Sequence, residues 1–441
     1  MKPVSVGVIG LGTVGAGTVD VLRRNGEEIS RRAGREIKVT RAAVRDLARS
    51  RDCNTAGISL TANPHEIVED PGIDVVIELI GGCDVAFDLI SAALNHGKHV
   101  VTANKALIAT RGNEIFHQAS SAGLVVAFEA AVAGGIPVIK VLREGLAGNR
   151  VERLVGILNG TCNFILSGMQ DDRSDYAEVL LKAQANGYAE AEPSVDVEGV
   201  DAAHKLTILA SIAYGVHLDF KSVHVEGISD ITQDDIIYAR ELGYRIKHLG
   251  IARRLPNGLD LRVHPCLVGD DHLLSNVSGV MNAIVVNGDA VGETLFYGAG
   301  AGAQPTASAV IADLVDVVRT LTSDPGNRVP HLAFQPAALA APGIVPLSEI
   351  VCAHYLRLTA HDRPGVLADI TRILGDYQVS IEAIRQQGSA DALGNVPVVI
   401  VTHRALEANV AMAVSDIEAL STNARAATRI RLETLEISVD E

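Results

Sequence analysis

Apolar residues in the first third of the chain fall in short, almost unbroken runs with β-branched members. VSVGVIG (4–10), IKVTRAAV (37–44), DVVIELI (74–80), KHVVTA (98–103) and LVVAFEAA (124–131) read as strands, and residues 13–25, 86–96 and 111–122 read as helices between them. Strands apolar on both faces and separated by helices predict a parallel sheet covered on both sides. From Gly134 to about residue 304 the pattern changes. Two helical segments (175–187 and 199–215) precede strands at 261–268, 283–289 and 293–300. This predicts an α+β segment on a mostly antiparallel sheet. An amphipathic helix follows at 305–320, with Pro305 in its first turn, where a missing N–H costs nothing.

Residues 329–346 carry Pro330, Pro336, Pro342 and Pro346 and read as a linker. Beyond them the order is strand 354–360, helix 365–377, strands 379–387 and 396–403, helix 406–420 and strand 429–437. That βαββαβ order predicts a ferredoxin-like split motif. The fold class expected is therefore α/β, with an N-terminal doubly wound Rossmann-type sheet, a middle α+β domain and a ferredoxin-like tail.

Length and composition narrow the function. A chain of 441 residues exceeds one ordinary core, so two or three domains are expected. With 41 glycines, 3% aromatic residues and no tryptophan, a glycine-turned α/β enzyme fits better than a module stacking bases or sugars on aromatics. A net charge of −15 argues against nucleic acid and anionic membranes as partners. No apolar run reaches the roughly 18 residues of a membrane helix. The N-terminus opens directly on a strand without a signal peptide, so a cytoplasmic protein is expected. The five cysteines are scattered without a CxxC pair, which indicates neither a disulfide framework nor a zinc site.

GLGTVG (10–15) lies between the first strand and the first helix. Gly10 allows the tight turn, Gly12 lets backbone approach a pyrophosphate, and Gly15 permits close helix–strand packing. The helix N-terminus offers free N–H groups to the phosphates. At the end of the second strand, Arg45 would pair with the 2′-phosphate of NADP, while an acidic group such as Asp46 would bond the ribose of NAD. Arg45 comes first, which favours NADP or dual use. A second glycine run, GAGAG (298–302), leads into the 305 helix and is either another cofactor contact or a hinge.

The lysine in EGVDAAHKLTILASIA (198–213) is the most informative single residue. After Asp201 and Lys205 no acidic or basic residue other than a histidine appears until Asp219. An ammonium among leucines and isoleucines is costly unless paired, and Asp201 lies four residues before it on one helix face. The preceding loop carries Glu190, Glu192, Asp196 and Glu198, a set suited to a cationic group such as an α-ammonium. A second lysine, Lys105, follows the carboxyl end of a parallel strand, where open α/β sheets place ligands. Two lysines beside a nicotinamide could manage the proton of a hydroxyl or carbonyl while hydride moves.

Taken together, GLGTVG, VIELIGG (76–82), TANKAL (102–107), FEAAVAGGIPVI (128–139), NGTCNFIL (159–166), GYAEAEPSVDVEGVDAAHKL (187–206) and YGAGAG (297–302) resemble homoserine dehydrogenase in kind and order. The similarity spans residues 4 to about 320. The tail resembles an ACT domain, with HDRPGVLADI (361–370) as its signature. The resemblance implies reversible NAD(P)-dependent interconversion of L-aspartate 4-semialdehyde and L-homoserine, in threonine, methionine and isoleucine biosynthesis. It implies Lys205 as proton donor or acceptor, assisted by Lys105, and Glu190 and Asp201 as holders of the substrate's amino group. Cofactor contacts would come from Thr13, Val14, Lys105, Gly187 and Gly302. A sodium site would use Glu129 and the carbonyls of Val132, Gly134 and Ile136.

The domain plan that follows is a cofactor-binding domain over 1–133 completed by helix 305–322, a catalytic and dimerisation domain over 134–304, a linker over 323–350 and an ACT domain over 351–441. A homodimer or homotetramer is expected, with threonine as effector of the tail, whose 362–365 turn would present helix N–H groups to a carboxylate. The competing class is a non-catalytic regulator that senses dinucleotide and amino acid.

Overall fold

The computed structural model describes residues 2–325, 328–386 and 391–434, in two compact units. One unit comprises Met1–Gly160, Asp201–Val223 and Met281–Pro342. Its centre is a six-stranded sheet of β1 (Val4–Ile9), β2 (Ile37–Ala43), β3 (Ser59–Thr61), β4 (Val75–Glu78), β5 (His99–Thr102) and β6 (Val126–Ala127), all parallel. The order is β3-β2-β1-β4-β5-β6, the doubly wound order of dinucleotide-binding sheets. Every residue of β4 and β5 is buried, as strands covered on both faces require. The predicted strand at 124–131 shrinks to β6, because Glu129–Ala131 turns into a 3-10 helix.

Helix Ala303–Thr320 returns to this sheet. Ala307, Val310, Leu314 and Val317 join the core of Val6, Val8, Val19 and Ile77. It lies so close to helix Thr13–Arg24 that a Cβ on Gly17 would stand 2.7 Å from the Ala303 carbonyl. The same unit holds an antiparallel ribbon of Val151–Ile157, Met281–Gly288 and Gly292–Ala299, and from Asp201 onward the helix Val200–Tyr214. Its strand over 151–157 was not read from the sequence, nor were helix Gly26–Ala33 and β3.

The second unit comprises Thr161–Val200, His224–Val280 and Gly343–Glu441. A long hairpin of Tyr244–Leu255 and Gly258–Gly269 runs alongside the tail's strands. Thr428–Leu432 pairs with Val351–His361, then Asn395–Thr402, then Ile381–Gln386, all antiparallel. With helices Val366–Asp376 and Glu407–Glu418 this is the expected βαββαβ motif. Position 387 and positions 435–437 of the predicted strands, like the domain's end to 441, lie outside the described residues.

The sequence presents this tail as tethered, yet its last strand pairs in parallel with the hairpin through Cys266↔Arg431 and Leu267↔Leu432. Buried charge accompanies that pairing. Arg431, 1% exposed, bonds Glu407 at 2.6 Å and Glu226 at 2.8 Å. Glu407 also forms an ion pair with Arg429 (3.1 Å) and contacts His354 Nε2 at 2.7 Å. Burial would raise the Glu407 and Glu226 carboxyls, but His and Arg partners outweigh it and hold both well below the usual carboxylate range. Cys352 and His354 stand beside Glu407 in ligand-like proximity, and that carboxylate is committed to the arginines. Among the described residues no helix is long and apolar enough to cross a membrane.

Candidate active site

The glycine loop follows β1 at the carboxyl edge of the parallel sheet. Gly10 has φ +100°, a left-handed conformation that a side chain disfavours, and a Cβ there would meet the Leu79 carbonyl at 2.8 Å. A Cβ on Gly15 would lie 2.0 Å from the Gly10 carbonyl. Gly12, the residue before helix Thr13–Arg24, meets nothing within 4 Å. Two of the three glycines therefore serve the turn itself, and the third faces open space at a helix N-terminus. Thr13 is exposed and Val14 half-buried beside it. Arg45 and Asp46 are exposed just past β2, and Asp46 Oδ1 accepts from the Ala48 N–H at 2.9 Å. Gly302, φ +119°, precedes helix Ala303–Thr320, and its carbonyl accepts from Thr306.

Beside β1, the ends of β4 and β5 are tied by a polar network that sequence reasoning missed. Glu78, fully buried, accepts from the Ile80 N–H (2.8 Å) and from the Thr102 hydroxyl (2.6 Å). Thr102 Oγ1 in turn accepts from the Asn104 N–H at 3.0 Å. Asn104 donates to the Gly82 carbonyl at 2.6 Å and accepts from Leu107, so its side chain caps helix Lys105–Ser121. Lys105 is the first residue of that helix, one position beyond the cap. The signal was present as an Asn three residues before Leu107.

Lys105 and Lys205 meet on one carboxylate. Lys205 Nζ stands 2.6 Å from Asp201 Oδ2 and donates to the Leu158 carbonyl at 2.7 Å. Lys105 Nζ stands 3.0 Å from Asp201 Oδ1. Asn159 Nδ2 adds a bond to Oδ2 at 2.9 Å. Asp201 and Lys205 are 3% and 8% exposed, whereas the Lys105 side chain is 40% exposed. Burial alone would raise the Asp201 carboxyl; the ammonium groups of Lys205 and Lys105 outweigh it and hold it well below the usual range. Asp201 thus has three protein donors on its two oxygens, and the family resemblance has it holding the substrate's amino group. His204, next along the helix, lies against the Phe220 ring at 4.4 Å, and burial lowers its pKa.

Glu190 and Gly187 belong to the other compact unit and are exposed; Gly187 has φ +73° and the Glu190 carbonyl accepts from Gln184 at 3.0 Å. Cys162 is buried there, donating to the Asp196 carbonyl, as a structural thiol.

At the expected cation loop, Glu129 is buried and its two carboxylate oxygens accept the N–H groups of Ile139 (2.9 Å) and Lys140 (2.8 Å). Burial, partly offset by these bonds, pushes its carboxyl up to about 7. Its own N–H donates to Asp313 at 2.7 Å, and burial together with Glu129 raises the Asp313 carboxyl well above the carboxylate range. The Ile136 carbonyl accepts from Val138 at 2.8 Å. Ala133 and Gly134 both have positive φ, 55° and 42°, which bends the loop between Val132 and Ile136.

Comparison with known proteins places the chain in a family. Residues 10–129 match the homoserine dehydrogenase NAD-binding domain, residues 137–315 the homoserine dehydrogenase family and residues 354–419 the ACT domain. The chain is 57% identical to the homoserine dehydrogenase of Pseudomonas aeruginosa over 435 residues, 99% of this chain and 100% of that one. It is 51% identical to that of Neisseria gonorrhoeae over 99% and 100% of the two chains. The crystal structure of a homoserine dehydrogenase from Thiobacillus denitrificans superposes with a TM-score of 0.94 at 58% identity, covering 99% of each chain. A Staphylococcus aureus homoserine dehydrogenase does so at 0.75 and 30% identity, over 99% of this chain and 100% of that one. The chain therefore belongs to the homoserine dehydrogenase family, with a Rossmann-type NAD-binding domain, a catalytic domain and a C-terminal ACT domain.

Proposed function

We propose that this enzyme interconverts L-homoserine and L-aspartate 4-semialdehyde with NADP or NAD, and that Lys205 carries the proton. The dinucleotide, when bound, supplies or accepts the hydride. Reduction of an aldehyde leaves negative charge on its oxygen. An ammonium stabilises that charge electrostatically before it donates the proton, and the neutral amine is the base in reverse. Lys205 suits this role because its position is over-determined: one proton is directed at Asp201, one at Leu158, and one remains for substrate. Asp201 positions Lys205, and Lys105, more exposed, supports the same developing charge from the end of β5. The family resemblance assigns contact with the substrate's ammonium to Glu190.

The observation that carries this reading is the shared buried carboxylate between the two lysines, within the unit that also holds the glycine loop. Oxidation of L-homoserine, followed at 340 nm separately with NADP and NAD, tests it and gives the cofactor preference. A non-catalytic dinucleotide sensor would give no absorbance change with either.

The exposed Arg45 supports a preference for NADP. A monovalent cation at 129–136 rests on the family resemblance. The donors there are all oxygen, which suits a hard cation, and the engaged ones each keep a second lone pair. We therefore assign a sodium ion a structural role in that loop and no catalytic step. A melting temperature higher in sodium chloride than in choline chloride at equal ionic strength supports it; equal values refute it. Threonine is proposed as effector at the 362–365 turn, where Gly365 (φ +96°) precedes helix Val366–Asp376. A homodimer or homotetramer is proposed on the unpaired outer edge of strand Gly292–Ala299, which exposes Tyr297.

A further inference from the structure

A cavity of about 640 Å³ lies within the first unit, away from the two lysines and the glycine loop. Its roof is Pro325 and the stretch 328–339, and its walls include helices Lys105–Ser121 and Ala303–Thr320 and the turn at Arg143. This stretch was expected to be a linker. In the structure it is clamped down. The Phe334 ring occupies the space a Cβ on Gly215 would fill, approaching to 2.7 Å, and the Ala340 N–H donates to the Gly215 carbonyl at 2.7 Å. His331 accepts the N–H of Val126 at 3.2 Å, so the roof caps the edge strand of the sheet. The space is preformed and of the size that small-molecule sites occupy.

The lining is largely apolar, with arginines and carboxyl groups among it. Phe116 stacks on His331 with ring centroids 4.8 Å apart. Burial and Arg143 lower His331 to about 4, so that ring is neutral at physiological pH. Arg143 has a side chain only 12% exposed; among the described residues its ion pair is with its chain neighbour Glu144 at 3.6 Å, the buried Glu129 and Asp313 act on it electrostatically, and its Nε is buried without a hydrogen-bond partner. An arginine keeps its charge at any physiological pH, and a buried guanidinium N–H without a hydrogen-bond acceptor is costly. Arg328 also lines the space and, among the described residues, donates to the carbonyls of Gly123, Thr320 and Ser323. The wall's other acids are committed elsewhere. Asp316 pairs with Lys140 and Arg319, and Asp313 accepts from Glu129 with its carboxyl pushed up towards the neutral form.

We propose that this cavity is a second small-molecule site, which takes a monocarboxylate with an apolar body, its carboxylate on Arg143 and its apolar part against the Phe116–His331 stack. Nothing in the proposed reaction uses the cavity. Its roof continues directly from the helix that packs on the glycine-loop helix, so occupancy is placed to influence cofactor binding.

The test uses the full-length enzyme and two probes of one shape, 4-phenylbutyrate and its neutral analogue 4-phenyl-1-butanol, by calorimetry. The acid should bind with a Kd below about 1 mM and the alcohol at least about tenfold more weakly. Saturating cofactor plus L-homoserine should not displace the acid. Arg143→Met should weaken the acid at least about tenfold and leave the alcohol unchanged. Leu339→Trp, which fills the space without touching the charge, should abolish both and stands in if Arg143→Met does not fold. Equal binding of acid and alcohol, displacement by homoserine, absence of binding, or acid binding that survives either variant would overturn the proposal.

Discussion

Replacing Asp201 by Asn removes one charge and almost no volume, which makes it the sharpest probe of the two-lysine arrangement. The wild-type carboxylate is 5% exposed, and its partners differ in how well they can escape. Lys105, with a side chain 40% exposed, can turn to water, so its share is that of a surface pair, about 0–1 kcal/mol. Lys205, 10% exposed among apolar neighbours, cannot. Leaving it without its counter-charge is the case in which breaking a buried pair costs about 3–5 kcal/mol. The Asn159 amide keeps a partner in the new amide oxygen and adds little. The variant should therefore lose about 3–5 kcal/mol of stability at neutral pH, nearly all of it through Lys205.

The pH dependence has a definite sign. The folded Asp201 carboxyl is depressed, by Lys205 and Lys105 against burial. Its contribution is complete above the unfolded value near ~3.9 and is lost as pH falls through the folded value. The gap between wild type and variant, measured by denaturant unfolding, should be constant from pH 8 to about 5 and close only below about 4. In the same variant kcat should fall at least about 100-fold, because Lys205 loses its orientation, while KM for homoserine changes little. A variant within about 1 kcal/mol and tenfold of wild type would refute the anchoring role. A rise confined to KM would return Asp201 to the substrate's ammonium.

Gly12→Ala should fold with an unchanged melting temperature, since the position is open, but bind dinucleotide at least about tenfold more weakly by fluorescence titration. Gly15→Ala, whose Cβ would stand 2.0 Å from a backbone carbonyl, should be unstable whether or not cofactor is present, as circular dichroism would show. Arg45→Ala should raise KM for NADP by roughly tenfold and leave that for NAD unchanged, in line with a lost phosphate contact. Arg431→Met removes the shortest ionic partner of the buried Glu407, while Glu226, with a side chain 35% exposed, can turn to water; the change should cost about 3–5 kcal/mol, seen as an earlier denaturant midpoint. Threonine at millimolar concentration should lower activity in the full chain; no change in rate or melting temperature would leave the tail without that effector.

The doubly wound sheet was legible because its strands are apolar on both faces and punctuated by glycine turns. Runs such as VVIE (75–78) and HVVT (99–102) are buried at every position. The helix Gly160–Asp172 was not legible, since its hydrophobic positions lack a clear 3.6-residue rhythm. The hairpin strand Tyr244–Leu255 carries Lys247, His248, Arg253 and Arg254, and that charge hid a mostly buried strand. Pairing of the tail with this hairpin depends on Arg431 and Glu226, 205 positions apart, and local pattern is blind to such separation.

At the site, the Asp201–Lys205 spacing was visible within a single helix turn. Its meaning changed when Lys105 and Asn159 arrived from elsewhere in the chain to share the same carboxylate. Glu78, Thr102 and Asn104 looked like strand and loop residues until the sheet order β1-β4-β5 set their ends side by side.

Turnover of Lys205→Ala, with dinucleotide affinity measured on the same preparation, bears most directly on the central assignment. Loss of a general acid–base group predicts that homoserine oxidation falls by about 100- to 10,000-fold while the cofactor Kd stays within about twofold. Turnover within about tenfold of wild type would contradict the account and move the proton to another group.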